Sequence, residues 1–281
     1  MSIFESIVLG LVQGLSEFLP ISSSGHLALL EFFFNIQEDK VLLFAVLLHG
    51  GTLISIFAAF YKEIGGLIIE LCRVIKDIFS GKGLKADMNE TRKLGFLIII
   101  AAIPAAVFGI IFRDTFSDLY NNILAIGVGL LVTGTLLFFT DKYTSGKGRI
   151  RGMKYRSAFF VGLMQSLALF PGISRSGSTI AGSLITGLER KTAVKFAFLT
   201  SIPTVLGAFL LEVLSAFKAG IDTSLAAPPV VIGVLLAAVS GFIAIKTMVR
   251  VVSNSKLYYF SFYTWVVGIV VIVYSVFYLN V

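Results

Sequence analysis

Five side chains in two short stretches could do phosphorus chemistry: Glu17, Ser23 and His26 in QGLSEFLPISSSGH, and Arg175 with Ser174 in PGISRSGST. Glu17 is the only acidic residue between Glu5 and Glu31, and His26 is one of two histidines. A hydroxyl attacks phosphorus when a base lies within hydrogen-bond reach, and His26, three residues beyond Ser23, is the expected base. An arginine beside a turn with free amides binds anionic oxygens through its planar fork. Gln13 and Glu17 are four residues apart, so on a helix they share a face and could hold a hard cation, Mg²⁺ or Ca²⁺. The combined reading is phosphoryl transfer. Each part also has a plainer reading: serines and glycines for close helix packing, a structural histidine, and Glu17 with Arg175 as a buried ion pair.

The surroundings make these polar groups costly. The chain is 57% hydrophobic and only 14% charged, against about 25% charged in soluble proteins. Its apolar runs suit helices crossing a hydrocarbon core, without the alternation of a membrane barrel. Ionisable groups inside such a protein need partners or a function. The net charge is +7, and the basic residues cluster between apolar runs. They read as topology signals and contacts with membrane lipids, which excludes a nucleic-acid surface. Cys72 is alone, which excludes an intrachain disulfide and a cysteine metal cluster. The first apolar run lacks a basic leader and a cleavage site, so it is expected in the mature protein.

Residues 3–30 are apolar but broken by Gly10, Gly14, Pro20 and Gly25, which predicts a re-entrant helical hairpin. Spans are expected at 41–60, 94–112 and 122–140. Residues 61–93 carry seven basic side chains around an amphipathic piece that could lie in the interface, and residues 113–121 form a loop. A second hairpin is expected at 157–188, followed by spans at 196–217, 229–249 and 257–279. His49 and Glu212 fall outside the expected site, His49 as a hydrogen-bonding group within the bundle and Glu212 as a snorkelling residue.

The chain repeats itself. A shift of 152 positions aligns Gln13 with Gln165, Phe18 with Phe170, Ser22 with Ser174, Ser24 with Ser176 and Gly25 with Gly177, among eight matches in fifteen positions. The fold class is therefore an all-α integral membrane protein with an inverted-topology repeat: six transmembrane helices plus two re-entrant helical hairpins. Its halves are residues 1–140 and 157–281. The basic stretches at 61–93 and 141–156 should face the cytoplasm, and the two hairpins should meet near the midplane.

With Gln13 to Glu17 as an (E/Q)xxxE element, followed by FLPISSSGH and PGISRSGST, the sequence resembles the undecaprenyl-diphosphatase family, linked to bacitracin resistance, over essentially the whole chain. The resemblance implies hydrolysis of undecaprenyl diphosphate, a polyprenyl diphosphate lipid, to the monophosphate and phosphate. It further implies a divalent cation and a site open to the outer face of the bacterial cytoplasmic membrane. Carried over by motif position, Glu17, Ser23, His26, Ser174, Arg175 and Thr179 are the functional residues, with Ser22, Ser176 and Gly177 alongside in phosphate binding. Gln13 stands where other members have glutamate. Other membrane phosphatases with SGH and SR fragments place a histidine after the SR element, and none follows Arg175 here. Ser23 and His26 both remain open as nucleophile, homo-oligomerisation is left open, and a secondary transporter or flippase for an anionic lipid or organic anion is the alternative function.

Overall fold

A computed structural model describes residues 2–36, 38–144, 146–218, 228–253 and 257–278. These form twelve α-helices and no strand among the described residues. The helices are α1 (Ile3–Phe18), α2 (Ser23–Phe33), α3 (Glu38–Ala59), α4 (Tyr61–Phe79), α5 (Glu90–Ile111), α6 (Arg113–Tyr120) and α7 (Ile123–Tyr143). They continue as α8 (Tyr155–Leu167), α9 (Arg175–Ile185), α10 (Arg190–Lys218), α11 (Pro228–Ser253) and α12 (Tyr258–Tyr278).

Helices α5, α7, α10, α11 and α12 are each long and apolar enough to cross a membrane. The expected six becomes five, or six if α3 and α4 together make one bent span. The bend between them is 86° at Phe60. The amphipathic piece read from the sequence is α4, turned sharply away from α3. Residues 113–121, expected as a loop, contain α6, a two-turn helix too short to leave a period in the sequence. Both hairpins break where the prolines and glycines indicate, at 19–22 and 168–174. The side chain of Glu212 lies outside the described residues.

Packing rests on small residues, as expected where lipid removes the hydrophobic drive between helices. Helix α1 lies on α11, where Gly10 meets the Gly233 backbone. Helix α8 lies on α5, where Gly162 meets Ala101 and Pro104. Helices α7 and α12 pair through Gly127 with Gly268, and Gly134 with Thr264 and Trp265. Helices α3 and α10 also pack together. The largest buried apolar cluster runs from Phe18 through Phe196, Phe198, Ile180 and Leu97 to Met248. Phe18 meets Phe198 edge to face with ring centroids 5.5 Å apart, fixing the end of α1 against α10.

Candidate active site

The two breaks meet. Leu19 at the end of α1 accepts a hydrogen bond from Ser176 Oγ at 3.1 Å, and Gly25 faces Gly172 across the gap. Each break is closed by a serine N-cap. Ser22 Oγ accepts from the Gly25 amide at 3.2 Å, and Ser174 Oγ accepts from the Gly177 amide at 3.1 Å. Helices α2 and α9 therefore begin at Ser23 and Arg175, with the positive ends of their dipoles entering one small region.

Both first residues reach the same carboxylate. Glu17, the penultimate residue of α1, accepts from Ser23 Oγ at 2.6 Å through Oε2 and is ion-paired to Arg175 through Oε1. Gln13 Nε2, one turn earlier, donates to Oε2 at 3.1 Å. The Glu17 side chain is 3% exposed, so its charge depends on these partners. A cavity borders the pair, lined by Glu17, Arg175, Ser176, Thr179, Phe198 and Ser201 among others.

The shape of the first break has a local cause. Ser22 has φ 71°, the left-handed region that a residue with a Cβ rarely adopts, at a cost of about 1–3 kcal/mol. That conformation turns the chain so that Ser23 opens α2 facing Glu17. The second break is set by α7. Thr133 Oγ1 donates to the Gly172 carbonyl at 3.0 Å and accepts from the Ser174 amide at 2.9 Å. Gly129 leaves no room for a side chain against Pro171 and Gly172.

The expected residues thus divide by what they touch. Glu17, Ser23, Arg175 and Gln13 come together. Ser22 and Ser174 cap helices, and their hydroxyls also meet Ser24 and Ser176, each pair at 3.2 Å. Thr179 Oγ1 donates to the Arg175 carbonyl at 2.7 Å, which steadies the first turn of α9. Gly177 lies against Pro20, where a larger residue would press on the first break.

His26 does not meet Ser23. Its Nδ1 bonds the Ser22 carbonyl at 2.8 Å and its Nε2 bonds the Tyr263 hydroxyl at 2.8 Å. The imidazole nearer the Ser23–Glu17 pair is His49, whose Nε2 lies 3.9 Å from Glu17 Oε2 while its Nδ1 bonds the Ala45 carbonyl. Sequence reasoning set His49 aside. Its signal was that it is the only other histidine and sits in an apolar run. Tyr263 left no such signal, being one tyrosine of nine and 237 residues from His26.

A family model described as bacitracin resistance protein BacA matches residues 6–270. The chain is 47% identical to an undecaprenyl-diphosphatase of Alkaliphilus metalliredigens, over 98% of this chain and 99% of that protein. It is 39% identical to an undecaprenyl-diphosphatase of Halothermothrix orenii, over 97% and 98% of the two chains. A protein of Bacillus cereus named undecaprenyl-diphosphatase 4 is 38% identical, over 97% of each.

Proposed function

The chain belongs to the bacitracin resistance protein BacA family, and from this we infer that it hydrolyses undecaprenyl diphosphate to undecaprenyl phosphate and inorganic phosphate. It is a multi-pass membrane phosphatase, and the carrier or flippase alternative is not favoured. The observation that carries the reading is the convergence of two helix N-termini, Arg175 and the Ser23 hydroxyl on the two oxygens of Glu17. A terminal phosphate fits this point because helix N-termini and a guanidinium both favour anionic oxygens.

In the proposed reaction Ser23 Oγ attacks the terminal phosphorus. The Oγ–P bond forms as the anhydride P–O bond breaks, and undecaprenyl phosphate leaves with the electron pair on its oxygen. The Ser23 proton passes to Glu17 Oε2, which already accepts its hydrogen bond. Arg175 turns toward the transferring oxygens and stabilises their charge with the first-turn amides of α9. A water molecule then attacks the phosphoserine and gives its proton to His26 Nε2, from which the Tyr263 hydroxyl has moved aside, while the Oγ–P bond breaks and Glu17 returns a proton to Ser23. The competing assignment has His26 Nε2 attack phosphorus directly in place of Ser23, which requires the Tyr263 hydroxyl, bonded to that lone pair at 2.8 Å, to move off it first.

A divalent cation, Mg²⁺ or Ca²⁺, fits one end of this arrangement. Gln13 Oε1 is buried, aligned one turn before Glu17, and accepts no hydrogen bond. Among the described residues no three His, Cys, Asp or Glu side chains gather as a metal site, so further ligands would have to come from outside the chain. Gln13 and Glu17 would hold the cation, which supplies charge neutralisation on the diphosphate.

The site sits in the bacterial cytoplasmic membrane and opens to the outer face in this reading, with the basic stretches 61–93 and 141–156 on the cytoplasmic side. The halves 1–140 and 157–281 form an inverted repeat. Supporting this, exchanging the halves turns the α1–α11 pair into α8–α5 and leaves α3–α10 and α7–α12 as themselves. The test is phosphate release from undecaprenyl diphosphate by the purified protein, with Ser23→Ala, His26→Ala and Arg175→Ala in parallel. Loss of release in all three is expected; no release from the unaltered protein would end the proposal.

A further inference from the structure

The two hydrogen bonds on His26 define its tautomer. A carbonyl oxygen only accepts, so the 2.8 Å contact with Ser22 O requires the proton on Nδ1. In the neutral ring Nε2 then carries the lone pair, and the Tyr263 hydroxyl donates to it at 2.8 Å. The two rings are nearly parallel, 10° apart in plane with centroids 5.6 Å apart. His26 thus presents its one basic nitrogen to a group from the far end of the chain.

The position of Tyr263 is itself constrained. The next residue, Thr264, is fully buried and lies with Trp265 against Gly134 of α7, and one turn further on Gly268 lies against Gly127. Trp265 Nε1 also donates to Thr135 at 3.2 Å. The same α7 holds the second break through Thr133 and Gly129. One helix therefore holds the break that leads into Arg175, and reaches His26 through α12 and Tyr263.

We propose that Tyr263 is a positioning residue of the phosphatase reaction, holding His26 through a hydroxyl-to-Nε2 hydrogen bond so that one tautomer and one ring orientation await the substrate. The inference rests on the proposed role of His26. Tyr263 keeps its own proton throughout. In the resting enzyme the hydroxyl donates to the neutral ring, and it leaves the Nε2 lone pair before that nitrogen takes a proton. Nothing in this role requires Tyr263 to touch phosphorus, and it acts only while His26 is present.

Tyr263→Phe keeps the ring and removes the hydroxyl. Loss of one orienting hydrogen bond corresponds to about a tenfold fall in kcat, with KM unchanged because no substrate contact is removed. The same substitution in a His26→Gln background should have no further effect, since the two residues act as one unit. A tenfold fall in both backgrounds would mean a packing role and overturn the inference. Wild-type kcat in Tyr263→Phe, beside an impaired His26→Gln, would overturn the inference alone; full activity in His26→Gln would remove the proposed role of His26 as well. A measurement on the unaltered protein guards against a variant that fails to fold. With only two histidines in the chain, ¹⁵N-imidazole spectra contain two rings, and His26 is assigned by its absence from His26→Gln. An Nδ1–H tautomer with a hydrogen-bonded Nε2 is expected, and an Nε2–H tautomer would overturn the proposal.

Discussion

Gly129→Ala should disable catalysis without touching any residue that meets substrate. Gly129 lies on α7 with its α-carbon turned to the second break. A methyl group there would stand 2.8 Å from both Cα and the carbonyl carbon of Gly172, and closer still to the Pro171 carbonyl oxygen. These are backbone atoms, so relief cannot come from a side-chain rotation. The break must move by roughly 1 Å, and Arg175, three residues beyond Gly172, moves with it. A shift of that size at a catalytic group costs on the order of 10²-fold in rate. The overpacking itself costs about 1–3 kcal/mol, which a folded bundle can survive. The assay is phosphate release from undecaprenyl diphosphate in detergent, with Tm measured on the same preparations. Gly207→Ala on α10 is the control, because nothing lies within 4 Å of a methyl group at that position. Wild-type kcat in a folded Gly129→Ala protein would refute the claim that α7 sets the position of Arg175.

Three further outcomes are expected. Gln13→Glu adds a second carboxylate beside Glu17 and should lower the concentration of Mg²⁺ or Ca²⁺ needed for half-maximal rate by ~10-fold, while Gln13→Ala raises it; equal requirements in a chelator titration would remove Gln13 from the cation site. Arg92 is buried and joins Glu70 at 3.0 Å and Asp77 at 2.8 Å, so Arg92→Ala should lower Tm while leaving kcat of the folded fraction unchanged, and a fall in kcat without a fall in Tm would contradict this purely structural role. In a Cys72→Ser background, Lys82→Cys in the basic stretch should resist a membrane-impermeant maleimide on intact cells and react after permeabilisation; labelling of intact cells would reverse the proposed orientation.

Much of the site could be read from the chain because its cause is local. Pro20 and the glycines around it break the first hairpin, PGIS breaks the second, and a serine N-cap follows each break three residues before the glycine that it holds. The i to i+4 spacing of Gln13 and Glu17 gave their contact directly. What escaped depends on the third dimension. The partner of His26 is an ordinary tyrosine on an apolar helix, brought to it by the glycine seam between α7 and α12. His49 reaches Glu17 because α3 packs beside α1, and no spacing encodes that. The expected Ser23–His26 pairing followed from sequence proximity, yet the left-handed turn at Ser22 points the Ser23 hydroxyl at Glu17 instead. The bend at Phe60 has neither proline nor glycine beside it, and it is visible only as the change from an apolar helix to an amphipathic one.

The central claim is that Ser23, with its proton on Glu17, makes the bond to phosphorus. Its most direct test is a rapid acid quench of the purified protein during turnover of undecaprenyl diphosphate labelled in the terminal phosphate, followed by peptide mapping. An acid-stable phosphoserine at Ser23, absent in Ser23→Ala, is the predicted result. An acid-labile adduct on the peptide carrying His26, or full turnover by Ser23→Ala, would contradict it.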